Sequence, residues 1–157
     1  MTVPSLARDI MKTELVTLSA DMGLHDAAML LVRNRISGAP VVSEDGKLEG
    51  ILTEKDLMTA LIDAAYDRLP STKVSSYMNS EPFTISEQLD LLSIAQIFQT
   101  HHYRRLLVVR DDELLGLVSR RDVLKSVIRL IEPAPDKTSA MLYLSALRDG
   151  NEESPFG

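Results

Sequence analysis

The chain has 157 residues, 45% hydrophobic and 25% charged, enough for one compact domain or two very small ones sharing a core. With no Cys, no Trp, three Phe and four Tyr, the core must be aliphatic, and disulfides, thiolate nucleophiles and Cys-ligated metals are excluded. The net charge of −6 is uneven: residues 1–70 carry 7 basic and 11 acidic side chains, residues 71–131 carry 8 and 7, and residues 132–157 carry 2 and 5, so nucleic acid is not the expected partner, although the middle segment leaves room for a local anion site.

From Met1 to Asp9 there is no apolar stretch behind a basic start, so no signal peptide is read, and no apolar run is long enough to cross a bilayer. The expectation is a cytoplasmic protein without a membrane partner. A first strand is read at Val16 to Leu18, followed by an amphipathic helix with Leu24, Ala27, Ala28, Leu31 and Val32 at helical spacing. Ser19 precedes that helix as a candidate cap. Two strands follow, Ala39 to Ser43 and Leu48 to Thr53, joined at Asp45-Gly46, a hairpin signal because Gly accepts positive φ. A second helix spans Glu54 to Asp67, and Pro70 favours its ending before the linker Leu69 to Lys73.

The pattern then begins again. Leu15 to Ser19 matches Pro82 to Ser86, and Pro40-Val41-Val42 matches Leu107-Val108-Val109, both at an offset of 67 residues. Gly50 to Thr53 matches Gly116 to Ser119, and Asp56 matches Asp122, at an offset of 66. The single deletion falls in turn residues, Glu44 to Lys47 against Asp111 to Glu113, where a hairpin tolerates a length change. The second copy repeats the elements: strand Phe83 to Ile85 with Ser86 as its candidate cap, a helix carrying Leu91, Ile94, Ala95 and Phe98, strands Leu106 to Val109 and Leu114 to Ser119, and helix Arg120 to Leu130. The expected fold class is α/β of the α+β type, two β-α-β-β-α repeats with pseudo-two-fold symmetry: repeat 1 over 1–69, repeat 2 over 70–131, and an extension over 132–157. Within the extension, Ser139 to Leu147 reads as a short helix behind Pro133 and Pro135, capped by Asp136 or Thr138.

Each repeat carries Gly, two apolar residues, Thr or Ser, two more residues and Asp, where a strand ends and a helix begins. A helix N-terminus offers unpaired N–H groups to an anion, and Asp56 or Asp122 lies three residues into the first turn. The same spacing also describes a capping box of Thr53 with Asp56 and of Ser119 with Asp122. His101 and His102 diverge by about 100° on a helix, and His25 stands alone, so no metal is expected. No nucleophile, acid–base pair or Walker loop is found either, so the chain does not read as an enzyme.

Over residues 6–131 the chain resembles a tandem pair of CBS domains, a Bateman module. The marks are Ile10-Met11, Gly38-Ala39-Pro40-Val41-Val42, Gly50 to Asp56, Tyr103 to Val109 and Gly116 to Asp122. The resemblance implies an adenosine nucleotide as ligand (AMP, ADP or ATP, with S-adenosylmethionine or NADH as further candidates) in clefts between the repeats. It implies that Asp56 and Asp122 accept from ribose hydroxyls. One cleft would combine Ser119, Arg121, Asp122 and Arg104 with Ile36 and Ser37, the adenine resting on Ile36, Ala39 and Pro40. The other would combine Thr53, Lys55 and Asp56 with Tyr103 and the strand near Glu81. The resemblance also implies a homodimer through the helices and a separate effector protein that reads the ligand state. The alternative is a ligand-free dimerisation scaffold.

Overall fold

The computed structural model describes residues 6–67, 72–131 and 137–149, which contain six α-helices, five β-strands and one 3-10 turn. In chain order these are α1 (Ala7–Ile10), α2 (Leu24–Asn34), β1 (Gly38–Val42), β2 (Leu48–Thr53), α3 (Glu54–Ala65), the turn Val74–Ser76, β3 (Thr84–Ser86), α4 (Leu91–Thr100), β4 (Arg105–Arg110), β5 (Glu113–Ser119), α5 (Arg120–Ile131) and α6 (Lys137–Asp149). The chain divides into two compact units. Unit 1 holds the described residues of Met1–Thr13, then Thr84–Val108 and those from Leu115 onward; unit 2 holds Glu14–Phe83 and Val109–Leu114.

In unit 2, α2 and α3 cover the antiparallel pair β1–β2, in which Gly38 faces Thr53 and Pro40 faces Ile51. The stretch expected as a first strand contributes only a parallel bridge, Leu18 with Val41, closed by Leu18 N–H to Pro40 O and Val42 N–H to Leu18 O at 2.9 Å each. The core is aliphatic, as the composition requires: Leu18, Ala27, Leu31, Ala39, Val41, Leu52 and Val74. Asn79 completes the unit by exchanging both backbone hydrogen bonds with Ile51, at 2.9 Å each. In unit 1 the order is β3-β4-β5, with Ile94, Ile97, Phe98, Leu106, Val108 and Val118 at the centre of the core and Leu147 of α6 packed against it. Here Lys12 exchanges the backbone pair with Leu117, at 2.9 and 3.0 Å.

The two closures are counterparts, since Met11-Lys12 of the first repeat matches Met78-Asn79 of the second. Leu6 bridged to Asp90 in unit 1 likewise corresponds to Lys73 bridged to Gly23 in unit 2. Each compact unit therefore takes its opening segment from the start of the other sequence repeat. Gly50 and Gly116 admit those segments: a Cβ at Gly50 would lie 2.6 Å from Asn79 O, and one at Gly116 2.7 Å from Lys12 O.

The hairpin turns explain the one-residue deletion. The longer turn places Gly46 at φ 83°, whereas the shorter one puts both Asp111 and Asp112 at positive φ, 50° and 65°. Positive φ at both central residues is the signature of the tight two-residue turn that matches strand twist. Ser19 and Ser86 do not cap the helices after them. The N-caps are Gly23, without a side-chain bond, and Asp90, whose Oδ1 accepts from Ser93 N–H at 2.8 Å. Ser86 Oγ instead accepts from Gln88 N–H within a turn, because four residues separate each Ser from its helix. The expected extra helix is α6; of its two candidate caps, Thr138 lies inside the helix and Asp136 outside the described residues.

Candidate functional site

Both strand-to-helix corners form the same hydrogen-bonded box. At the β2–α3 corner of unit 2, Asp56 Oδ2 accepts from Thr53 N–H at 2.8 Å and from Thr53 Oγ1 at 2.9 Å, while Asp56 N–H donates to Thr53 Oγ1 at 3.3 Å. At the β5–α5 corner of unit 1, Asp122 Oδ2 accepts from Ser119 N–H and Oγ at 2.9 Å each, and Asp122 N–H donates to Ser119 Oγ at 3.2 Å. A carboxylate in the first helical turn both satisfies end donors and complements the dipole. One oxygen of each Asp is thereby spent on the fold. Asp56 Oδ1 has no partner among the described residues, and Asp122 Oδ1 lies 3.9 Å from Lys12 Nζ.

The other residues singled out in the sequence fall into these two groups. Unit 2 brings Ile36, Ser37, Ala39 and Pro40 to the β2–α3 corner: Gly38 faces Thr53, and Ser37 O accepts from Glu54 N–H at 2.9 Å. Ala39 and Pro40 are fully buried, whereas Ile36 and Ser37 keep some exposed surface and Lys55 is exposed. Unit 1 holds Tyr103, Arg104, Ser119, Arg121 and Asp122. Tyr103 is half-buried and stacks on His101 with ring centres 5.3 Å apart. Arg104, Arg120 and Arg121 are either exposed or on the helix surface, and none pairs with a carboxylate among the described residues. Asp122 is only 8% exposed.

Three charged residues were absent from the sequence reading: Lys12, Lys125 and Arg129. With Asp122 and Ser126 they line a cavity of about 280 Å³ in unit 1. Positions 122, 125, 126 and 129 follow helical spacing and share one face of α5, a signal available in the sequence. The placement of Lys12 beside them follows only from its pairing with Leu117. Among the described residues no group of three or more His, Asp or Glu side chains is placed to hold a metal ion, and no helix is long and apolar enough to cross a membrane.

The chain matches the CBS domain family twice, over residues 7–63 and 74–129. It belongs to that family. A CBS domain-containing protein of Dictyostelium discoideum is 33% identical over 142 residues, which span 85% of this chain and 98% of the relative. The CBS domain-containing protein YhcV of Bacillus subtilis is 33% identical over 119 residues, 76% of this chain and 83% of the relative. Among solved structures, the CBS-domain pair of protein MJ0100 in complex with 5′-methylthioadenosine and S-adenosyl-L-methionine superposes with a TM-score of 0.64 at 26% identity, covering 76% of this chain and 93% of that one. The fold is also that of CBSX2 in complex with AMP, with a TM-score of 0.72 at 23% identity over 80% of this chain and 97% of that one. The CBS repeats explain why both corners carry the same box: they are the two copies of one duplicated strand–helix junction.

Proposed function

We propose that this CBS pair is a regulatory module that binds an adenosine-type nucleotide, of the AMP, ADP or ATP class, and passes the ligand state to a separate effector protein. The observation that carries the reading is the carboxylate at each corner. One oxygen is fixed by the capping box, which orients the other as a preset acceptor for a ribose hydroxyl. The adenosine compounds bound by MJ0100 and CBSX2 support the ligand class. The β5–α5 corner is favoured over its counterpart, because Arg120 and Arg121 stand where unit 2 has Glu54 and Lys55, and phosphate recognition needs cations. Within unit 1, Ser119 and Arg104 complete the proposed set; Thr53, Lys55 and Asp56, with Ile36 and Ser37 beside them, make up the corresponding corner of unit 2.

Isothermal titration with AMP, ADP, ATP, S-adenosylmethionine and NADH, on the wild type and on Asp122→Asn, tests this. The expected result is micromolar binding of at least one ligand, weakened at least tenfold in the variant. Absence of binding by all five overturns the reading in favour of a ligand-free scaffold.

We also propose that two copies pair through the helical face of unit 2. Val32, Met58 and Leu61 are exposed there, beside a groove of about 870 Å³ between α2 and α3. A contiguous apolar face of this kind marks an interaction surface. Sedimentation should give a dimer for the wild type and a monomer for Leu61→Asp; a dimer in both overturns the pairing.

A further inference from the structure

We infer a second binding site, for a small phosphate-class anion, in the cavity of unit 1 between α1 and α5. The inference goes beyond the nucleotide reading and does not depend on it. The cavity of about 280 Å³ lies at the lower end of ligand-pocket volumes and has room for a compact anion. Its wall carries three cations, Lys12, Lys125 and Arg129, against two carboxylates, Asp9 and Asp122. Both carboxylates already serve the fold: Asp9 Oδ2 accepts from Leu6 N–H at 3.2 Å, and Asp122 Oδ2 accepts from Ser119. Among the described residues neither Lys125 nor Arg129 has a carboxylate partner. Ser126 lines the same cavity, is 4% exposed, and its Oγ has no hydrogen-bond partner among the described residues. A buried hydroxyl without a partner is costly, so its presence here asks for a ligand atom.

The duplication supplies an internal control. The counterparts of Ile10, Lys12, Lys125, Ser126 and Arg129 in unit 2 are Tyr77, Asn79, Thr59, Ala60 and Asp63. There Tyr77 O–H donates to Asp63 Oδ2 at 2.7 Å, so the pair satisfies itself without a ligand. The same backbone thus carries a self-satisfied neutral–acid pair in one unit and, in the other, a buried hydroxyl beside one ion-paired lysine, Lys12, and two cations, Lys125 and Arg129, without a carboxylate partner among the described residues. Three separate positions that are neutral or acidic in unit 2 are basic in unit 1, which a solvated helix face does not require.

The probe is inorganic phosphate, added to the full chain at millimolar concentration with chloride at matched ionic strength as the control, and read by amide chemical shifts and by the unfolding temperature. Saturable shifts at Lys12 and Lys125 to Arg129, with a raised unfolding temperature, are expected for phosphate alone. Lys125→Ala and Arg129→Ala should each weaken the apparent Kd by about tenfold, the worth of one charge-assisted hydrogen bond. Ser126→Ala installs the residue unit 2 carries at that position and should weaken binding while leaving the fold intact. No competition by AMP or by adenosine is expected; displacement of phosphate by AMP would make the cavity part of the nucleotide site and overturn a second site. Equal effects of chloride and phosphate, or phosphate shifts that persist in the Lys125→Ala/Arg129→Ala double variant, overturn the inference.

Discussion

Gly116→Ala is the substitution on which the architecture bears most directly. The new Cβ would lie 2.7 Å from Lys12 O, 2.8 Å from Met11 Sδ and 2.9 Å from Met11 Cγ. The methionine can turn aside, but the carbonyl cannot, because Lys12 is held by two backbone hydrogen bonds to Leu117. Overpacking typically costs about 1–3 kcal/mol. Weakening the two backbone bonds adds roughly 0.5–1.5 kcal/mol each if they are lost outright. A total of about 2–6 kcal/mol is expected, read in urea as a lower midpoint at an unchanged slope. At about 2–4 °C per kcal/mol for a chain of this size, the unfolding temperature should fall by roughly 4–24 °C. Gly50→Ala, whose Cβ would meet Asn79 O at 2.6 Å, should cost about as much, by the same mechanism in the other unit. Adding Met11→Ala to Gly116→Ala should not restore stability. A Gly116→Ala protein within about 0.5 kcal/mol of wild type, the range of an ordinary surface change, would refute the claim that these glycines admit the exchanged segments.

Three further outcomes follow from local geometry. Asp90→Ala should destabilise by about 1 kcal/mol, the usual worth of an N-cap, and Ser86→Ala by clearly less; equal effects in urea melts would put the α4 cap in the wrong place. The Tyr77 phenol is pushed up to about 12 by burial and by the Asp63 carboxylate it donates to. Its folded value exceeds the ordinary 10.0, so this contact stabilises fully below that pH and its contribution is lost as pH rises from 10.0 through about 12. Stability curves of wild type and Tyr77→Phe should converge across that window, and a constant gap would contradict the assignment. Asp112→Gly should stabilise by roughly 1 kcal/mol, since Gly removes the left-handed strain at φ 65° while the Asp112 carbonyl keeps its bond from Leu48 N–H; an unchanged urea midpoint would show the turn unstrained.

Adjacent residues and their spacing were enough to reveal the duplication, the hairpins, the five longer helices and both Thr/Ser-x-x-Asp corners, but not the short α1. These features depend on local periodicity: apolar residues at helical spacing, turn residues between apolar runs, and a hydroxyl three residues before a carboxylate. Even the helix beyond Pro133 and Pro135 was legible, because proline and the apolar spacing bracket it. Only the tertiary structure decided which repeat each opening segment joins. Met11-Lys12 and Met78-Asn79 are too short to carry a period, and a lone bridge can pair with any exposed strand edge of suitable register. Gly50 and Gly116 leave room for a backbone at the receiving edge of each unit, so they permit the exchange without selecting it. The same placement puts Lys12 beside Asp122 and closes the cationic cavity, which could not be foreseen from residues more than a hundred positions apart in the chain.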